Sequence, residues 1–544
     1  MQTPILGSAY TARSVNAADS RMVNLFPEVV PEGGKQPAFL QRAPGLALQT
    51  TVGDGPVRGM WAHGAYLYVV SGNTFYQVSS AFVATAKGFV AGSGLVSMTD
   101  NGTQLFIAAN MNGYIYNFVT DAFGAITDPD FPGASVVDYL DGYFVFIEPN
   151  SQRIWVTALL DGTSIDPLDF ASAEGDPDNV VSMIVDHREV WLFGDNSTEV
   201  WYNAGLPDFP LARIQGAYNE LGCAARYSVA KMNNQVYWLG RDFRGQGIVY
   251  QANGYQGQRI STHAVEWQIQ QYGTMTDAVA FTYQQDGHFF YVLTFPSANK
   301  TWVYDAATGA WHERAGWQSG MWSRYRPSTQ AFYANQNLVG DYANGNIYAL
   351  DMSKYAYDGD EQRWLRSWRA LPTGENTLRR TAQHALQLDC ETGVGLAQYP
   401  AYASEDLTAE NGFILLAEYT QNDLVTESGE VMTTEANDNF QTLADVPDYP
   451  IPFVPPMYLT TTSYTAAPGY DPQVMLRWSD DGGHTWSREH WRSMGRIGQY
   501  GYRTIWRRLG MTQKLRDRVY EVSGTDPVKI AIMGAELQAS GTSG

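Results

Sequence analysis

The feature that most constrains the fold of this chain is a repeat. From residue 57 the sequence reads VRGMWAHGAYLYVVSGNTFYQV. The same grammar returns from 94 (GLVSMTDNGTQLFIAANMNGYIYNF), 134 (ASVVDYLDGYFVFIEPNSQRIWVTAL) and 180 (VVSMIVDHREVWLFGDNSTEVWYNAG). It returns again from 226 (RYSVAKMNNQVYWLGRDFRGQGIVYQA) and 277 (DAVAFTYQQDGHFFYVLTFPSANKTWVYDAATGAWHE), with a weaker copy from 331 (AFYANQNLVGDYANGNIYALD). Each copy is a short apolar strand, a turn pair, an aromatic-rich strand, a second turn and another aromatic strand. The first turns are His63-Gly64, Asn101-Gly102, Asp141-Gly142, Asp186-His187, Asn233-Asn234 and Asp286-Gly287. Asn-Gly and Asp-Gly tolerate positive φ and are the strongest short-range hairpin signals. Successive turns lie 38, 40, 45, 47 and 53 residues apart. A period near 40–45 with three or four strands per unit predicts β-propeller blades. Six clear copies and a weak one predict six or seven of them; the competing arrangement is one long β-sandwich of meandering hairpins. No helix-length amphipathic pattern interrupts the copies.

Past the repeat the chain changes character twice. Residues 353–380 form a charged connector, and from Thr381 to Leu476 there is no Lys or Arg but 14 carboxylates. Within that stretch about 396–472 reads as a long acidic insertion, part loop and part short strand, holding Glu405, Asp406, Glu410, Glu427, Glu430, Glu435 and Asp438. The sign then flips. Ten basic residues lie between Arg477 and Arg518, Arg492, Arg496, Arg503, Arg507 and Arg508 among them, against Asp480, Asp481, Glu489 and Asp517. Strand alternation in VMLRWS, YRTIWRRLG and RVYEVS, with HALQLDCETG and VKIAIMGAEL, predicts a β-sandwich split by the insertion. The expected organisation is an N-terminal arm or docking segment (1–50), a β-propeller (51–352), a C-terminal sandwich platform (353–395 and 473–544) and the acidic insertion (396–472).

Composition narrows the function classes. Aromatics are 13% and charged residues 17%, a balance that opposes disorder and suits half-buried strands. The net charge of 35 − 56 = −21 disfavours nucleic acid and anionic membranes as partners unless a local basic patch intervenes. Two cysteines, Cys223 and Cys390, are no disulfide framework and suit a reducing assembly compartment. The N-terminus has no basic region followed by an apolar run, so no signal peptide is expected, and no 18 consecutive apolar residues predict a spanning helix.

No phosphate-cradling G-x-x-x-x-G-K-[ST] or G-x-G-x-x-G loop occurs, and the eight histidines show no metal-ligand spacing, so neither cofactor nor metal is expected. One motif does suggest chemistry. WSDDGGHTWS places Ser479, Asp481, Gly483, Thr485 and Trp486 in the S-x-D-x-G-x-T-W spacing of the sialidase Asp-box. The physics of that motif is local: a carboxylate accepts backbone N–H bonds in a tight turn, Gly permits positive φ, and Trp packs beneath. A sialidase-like enzyme would carry one copy per blade, an arginine cluster and a Tyr nucleophile with its Glu, whereas here a single copy stands outside the repeat. The basic run is either a phosphate-binding surface or an inter-subunit contact; without a stacking platform the contact is the favoured reading.

Taken in order, SVNAADSRMVNLFPE (14–28), RAPGL (42–46), the copy at 92–118, LFGDNSTEVWYNAG (192–205), LGCAARYSVAKMNNQVYWLG (221–240), VYDAATGAWHE (303–313), LDCETGVG (388–395) and WRSMGRIGQYGYRTIWRRLG (491–510) resemble the tail nozzle, or tail hub, of short-tailed bacteriophages, the packaged-DNA stabilisation protein family. The resemblance covers nearly the whole chain. It implies a structural, non-enzymatic virion protein assembled in the host cytoplasm. Such nozzles form a homohexameric ring below the portal and adaptor, carry fibres, spikes or a plug, and pass genomic DNA without sequence-specific binding. On that reading Arg492, Arg496, Arg503, Arg507 and Arg508 are a subunit or adaptor contact. The carboxylates of 396–472 either line the channel or its gate, or form a solvated outer loop. The competing functions are a glycan-binding or glycan-hydrolysing propeller and a cytosolic propeller scaffold.

Overall fold

Two-residue turns set the architecture. The computed structural model describes all residues except 15–18, 33, 35, 110, 174, 208, 243–244, 372–379, 396–406, 409–413, 417–422, 427–430, 436–438, 443–468, 513–516 and 542–544. In five hairpins of the repeat both turn residues have positive φ: Asp141 and Gly142, His187 and Arg188, Asn233 and Asn234, Asp286 and Gly287, Ala334 and Asn335. That backbone matches the right-handed twist of the strands it joins. The fourth turn falls one residue later than the Asp186-His187 pair read from the sequence, because Asp186 pairs with Glu189. The apolar register of Met183 against Leu192 decides it.

Seven antiparallel sheets result among the described residues, at 57–89, 97–125, 137–172, 180–219, 222–259, 279–313 and 327–351. The seventh has only three strands of its own. Its fourth is Gly45–Thr51, which pairs antiparallel with Asn346–Asp351 and closes the ring. The first strand of each blade contacts that of the next around a complete circle. Strand alternation explains the unbroken apolar runs. In Tyr66–Ser71, Leu67 and Val69 pack against Ala331 and Leu338 of blade seven, while Tyr68 and Val70 pack against Leu105 and Ile107 of blade two.

Every blade interface also carries a polar contact. Trp61 Nε1 donates to Asp100 Oδ2 (2.6 Å), Ser97 Oγ to the Val137 carbonyl (3.1 Å) and Val185 N–H to Asp138 Oδ2 (2.7 Å). Ser182 Oγ donates to Arg226 O (2.7 Å), Thr282 Oγ1 to Lys231 O (2.8 Å), Asn337 Nδ2 to Gln284 O (2.8 Å) and Tyr333 OH to Ala65 O (2.7 Å). One bond is a chord. Tyr227 OH, from blade five, donates to the Leu95 carbonyl ahead of blade two at 2.8 Å. Those blades are three apart in a ring of seven, so the tyrosine crosses the propeller axis.

The sheet of blade six continues beyond its fourth strand, Ala310–Glu313, through Met22–Val23, Trp364–Arg369, Val519–Gly524, Gln473–Ser479 and His490–Ser493. A second sheet, Leu25–Val29, Ala38–Arg42, Ala531–Gly541, Thr381–Cys390 and Thr504–Arg507, packs on that extension. Met22, Leu25, Leu40, Trp364, Trp368, Leu388, Trp506, Val522 and Ile532 fill the space between them. This is the C-terminal β-sandwich, and it takes three strands from the N-terminal segment. Residues 1–50, expected as an arm, are therefore distributed over both bodies. The α-amino group of Met1 donates to Leu537 O (3.0 Å), and buried Arg366 holds the carbonyls of Ile5 (2.7 Å) and Arg21 (3.2 Å). In SRMVNLFPE every residue from Met22 to Phe26 is buried, and Met22 pairs with Arg366, hundreds of residues away in sequence.

Between blades five and six stands an eight-residue helix, His263–Gln270, capped by Thr262, which accepts from Val265 N–H at 3.4 Å. Two turns were too short to register as an amphipathic period. In the acidic insertion the backbone strands Leu407–Thr408, Ile414–Leu416, Asp423–Thr426, Val431–Glu435 and Asn439–Thr442 form an antiparallel meander.

Candidate functional site

The Asp-box closes the hairpin after Gln473–Ser479. Ser479 Oγ donates to Asp481 Oδ1 (2.6 Å) and accepts from Gly483 N–H (2.8 Å). Asp481 Oδ1 accepts from the N–H groups of His484 and Thr485, each at 2.9 Å, and Oδ2 from Thr485 Oγ1 at 2.6 Å. Gly482 and Gly483 take φ of 79° and 109°, and Trp486 Nε1 donates to Gly483 O at 3.1 Å. The Arg477 guanidinium lies 4.7 Å from the Trp486 ring and pairs with Glu521 at 2.5 Å. Hydrogen bonds from Ser479 and Thr485 hold the Asp481 carboxyl well below the usual carboxylate range. Its neighbour Asp480 is clamped by Arg518 at 2.6 and 2.7 Å. All five motif residues thus meet, and each carboxylate is already engaged by the protein. The arrangement makes a rigid turn.

The basic run divides. Arg477 and Arg518 form internal pairs, and Arg496 reaches Asp471 at 3.8 Å and the Tyr470 ring at 5.5 Å. Arg503, Arg507 and Arg508 come together on the outer face of the second sandwich sheet, lining a groove of about 810 Å³ with His384, Met511 and Gln538. Alternation along Thr504–Arg507 sends Thr504 and Trp506 into the core and leaves Ile505 and Arg507 outside. Arg508, at φ 61°, turns the chain while its N–H donates to His384 O at 2.8 Å. Arg503 Nε donates to Gln387 Oε1 at 3.1 Å, and Arg507 and Arg508 pair with no carboxylate among the described residues. Arg492 stays apart on the neighbouring edge strand, its Nε donating to Ile505 O at 3.3 Å.

Sequence reading passed over the exposed aromatics near this face: Trp491, Tyr500 (75% exposed) and Tyr502. The signal was present in GQYGYR, where tyrosines alternate with glycines and no apolar pattern gives them a core to enter. Glu405, Asp406, Glu410, Glu427, Glu430 and Asp438 lie outside the described residues; Glu435 ends a backbone strand, and its side chain is likewise outside them. Among the described residues no three His, Cys, Asp or Glu side chains are grouped to hold a metal ion, and no helix is long and apolar enough to cross a membrane. Cys223 and Cys390 are free and buried, and burial pushes their thiols up to about 11 and about 12.

The fold is that of a mainly β protein in which a propeller and a sandwich share one continuous sheet. A family model for the β-propeller of bacteriophage P22 Gp10 matches residues 1–355, and one for the β-sandwich of bacteriophage P22 Gp10 matches 457–540. The chain belongs to that family, the tail nozzle or DNA-stabilisation family, and is a phage structural protein of the virion tail. No curated protein matches it significantly. Among solved structures it is similar to a chain of the Mitotic Checkpoint Complex (11% identity, TM-score 0.39, 60% of this chain and 96% of that one). It is also similar to the computationally designed Ika8 protein (12% identity, TM-score 0.36, 57% and 99%). Likenesses at these scores bear no functional weight.

Proposed function

We propose that this chain is the subunit of a homohexameric tail nozzle that sits below the portal and adaptor, carries fibres, spikes or a plug, and encloses the channel through which genomic DNA leaves. The observation that carries the reading is the joint match to both bodies of the family, over 355 + 84 = 439 of 544 residues, on one continuous sheet. Tyr227 supports a channel between subunits, since it crosses the axis of each propeller. Arg503, Arg507 and Arg508 serve as a subunit or adaptor contact. The absence of carboxylate partners for them among the described residues and the exposed aromatics nearby favour a protein partner. DNA passes without sequence-specific binding, and assembly takes place in the host cytoplasm. The carboxylates of the insertion are proposed to line the channel or its gate.

Purified protein examined by negative stain and light scattering tests this. A six-fold ring is expected; a monomer that releases sugar from cell-surface polysaccharide would replace the reading with the glycan-hydrolysing one. Against that alternative stands a single Asp-box whose carboxylate is taken up by its own turn.

A further inference from the structure

The loop that joins the third and fourth strands of blade three, residues 157–169 (TALLDGTSIDPLD), presents apolar side chains outward. Leu159, Leu160 and Leu168 are 59, 57 and 76% exposed. The protein nevertheless holds this loop firmly. Ile165 is buried and anchors it, and the Ile165 N–H donates to Asp128 Oδ2 at 3.1 Å. Gly162 N–H donates to Gln104 Oε1 of blade two (2.7 Å), Leu160 N–H to Gly142 O (2.8 Å) and Leu168 N–H to Asp166 Oδ1 (2.9 Å). Leu160 is kept at φ 61°, a left-handed conformation that leucine rarely adopts. A fixed loop that keeps three leucines in water points to a contact surface.

The loop is acidic as well as apolar. Asp161, Asp166 and Asp169 stand among the leucines, and the loop holds no Lys or Arg. The basic residues that flank it in sequence are engaged elsewhere, Arg153 with Glu148 (3.9 Å) and Arg188 with Asp141 (2.9 Å). The groove on the sandwich has the opposite character. Ala382, Ala385, Ile505 and Met511 give it apolar walls, and Arg507 and Arg508 border them without a carboxylate partner among the described residues. At about 810 Å³ it has room for several side chains. The two surfaces also lie far apart on one subunit. Blade six carries the sandwich, and blade three is three steps from it in the ring of seven, as far as the ring allows. Two different patches on distant flanks make a head-to-tail contact, which closes into a ring when the rotation per step permits.

We propose that the blade-three loop of one copy seats in the Arg503, Arg507 and Arg508 groove of the next copy, its leucines against Ile505 and Met511 and its aspartates against the arginines. The occupant is a second copy of this chain because the loop supplies both things the groove calls for, apolar side chains and carboxylates with no basic partner. A nucleic acid would meet the charge but leave the apolar walls of the groove, and the leucines of the loop, uncovered. The inference rests on the reading of this groove as a subunit contact and adds the face that it meets.

Cysteine cross-linking tests it, since the native Cys223 and Cys390 are buried. Leu168→Cys and Met511→Cys replace exposed side chains and are made separately and together in the full chain. Under mild oxidation the two single variants, mixed, should give a cross-linked dimer on a non-reducing gel, and neither should do so alone. The double variant should give a ladder of cross-linked subunits. Charge exchange is the second measurement. Asp166→Arg with Asp169→Arg should raise the subunit concentration at half-assembly by at least about tenfold, because like charges then face each other. Adding Arg507→Glu and Arg508→Glu should bring it back. Rings that form without the cross-link, a disulfide closed within one chain, or a charge exchange that restores nothing overturns this contact and leaves the nozzle reading standing. Arg507→Glu with Arg508→Glu that keeps the ring and loses DNA gives the groove to nucleic acid and also overturns it. A wild-type protein that stays monomeric in light scattering refutes the nozzle reading itself.

Discussion

Asn24 joins three parts of the molecule, and replacing it should damage all three. The residue is fully buried at φ 54°. Its Nδ2 donates to Ala315 O (2.8 Å) and Arg363 O (2.7 Å), and its Oδ1 accepts from Ala315 N–H (3.0 Å) and Tyr357 OH (3.0 Å). It thereby ties the N-terminal segment to the exit of blade six and to the connector leading into the sandwich. Asn24→Ala strands the buried Ala315 N–H, the Ala315 carbonyl and the Tyr357 hydroxyl at about 1–2 kcal/mol each. A left-handed conformation for alanine adds about 1 kcal/mol, so the expected loss is about 5 kcal/mol. That is a large share of the roughly 5–15 kcal/mol by which proteins are stable. Urea unfolding followed by tryptophan fluorescence should show the midpoint fall accordingly. Asn24→Gly, which loses the same bonds without the backbone strain, should be about 1 kcal/mol milder. A loss under about 1 kcal/mol for Asn24→Ala would refute the view that this side chain ties the bodies together.

Three further outcomes follow from the same structure. Asp481→Ala should lower the unfolding temperature of the sandwich and impair ring assembly, leaving sialoside hydrolysis at the buffer rate; a sialidase activity present in wild type and absent in the variant would make the turn catalytic. Arg507→Glu with Arg508→Glu should leave the circular dichroism spectrum unchanged while reducing oligomerisation or adaptor docking on size-exclusion chromatography, with reversal of close interface charges costing several kcal/mol; intact assembly with lost DNA binding would move these residues to a nucleic-acid site. Thermal stability should pass through a maximum near pH 6.5 as far as two histidines set it. The Asp305 hydrogen bond raises the pKa of His288, so its contribution is complete below 6.5 and is lost as pH rises through the raised value; burial lowers that of His312, so its contribution is complete above 6.5 and falls away below. Unfolding scans from pH 5 to 8.5 should therefore lose their alkaline slope in His288→Gln and part of their acid slope in His312→Gln.

What could be read from the sequence was local. Asp141-Gly142 and Asp286-Gly287 announce hairpins because both residues accept positive φ within the turn itself. Likewise the hydrogen bonds that join Ser479, Asp481, Gly483, Thr485 and Trp486 run between residues at most four apart. What escaped was non-local. Gly45–Thr51 carries no mark that its partner is Asn346–Asp351, nor Met22–Val23 that it will bridge Glu313 to Trp364–Arg369. Arg503, Arg507 and Arg508 meet because a strand alternates and a left-handed residue follows it, whereas Arg492 and Arg496 lie on a different strand and its loop. Charge counting alone ranks all five equally.

Counting also misplaces charge in depth, and this bears on the proposed channel. The chain has 35 basic residues, and five of its arginines are buried, only Arg518 being matched there by a carboxylate. Eight carboxylates are buried too (Asp19, Asp186, Glu199, Glu266, Asp305, Glu313, Asp341 and Glu521), so among the described residues burial takes more negative than positive charge off the surface; a ring of six would still carry about 6 × −21 = −126 formal charges in all. A basic wall would bind phosphates and release counterions at each step of passage, adding affinity that slows exit. An acidic wall repels the duplex and keeps it centred. Because Tyr227 crosses each propeller axis, the wall of such a ring must come from surfaces between subunits. A density map of the assembled ring should thus show carboxylates outnumbering Lys and Arg along the inner wall. A wall dominated by basic side chains would mean that DNA is held there, and the reasoning from free sliding would fail.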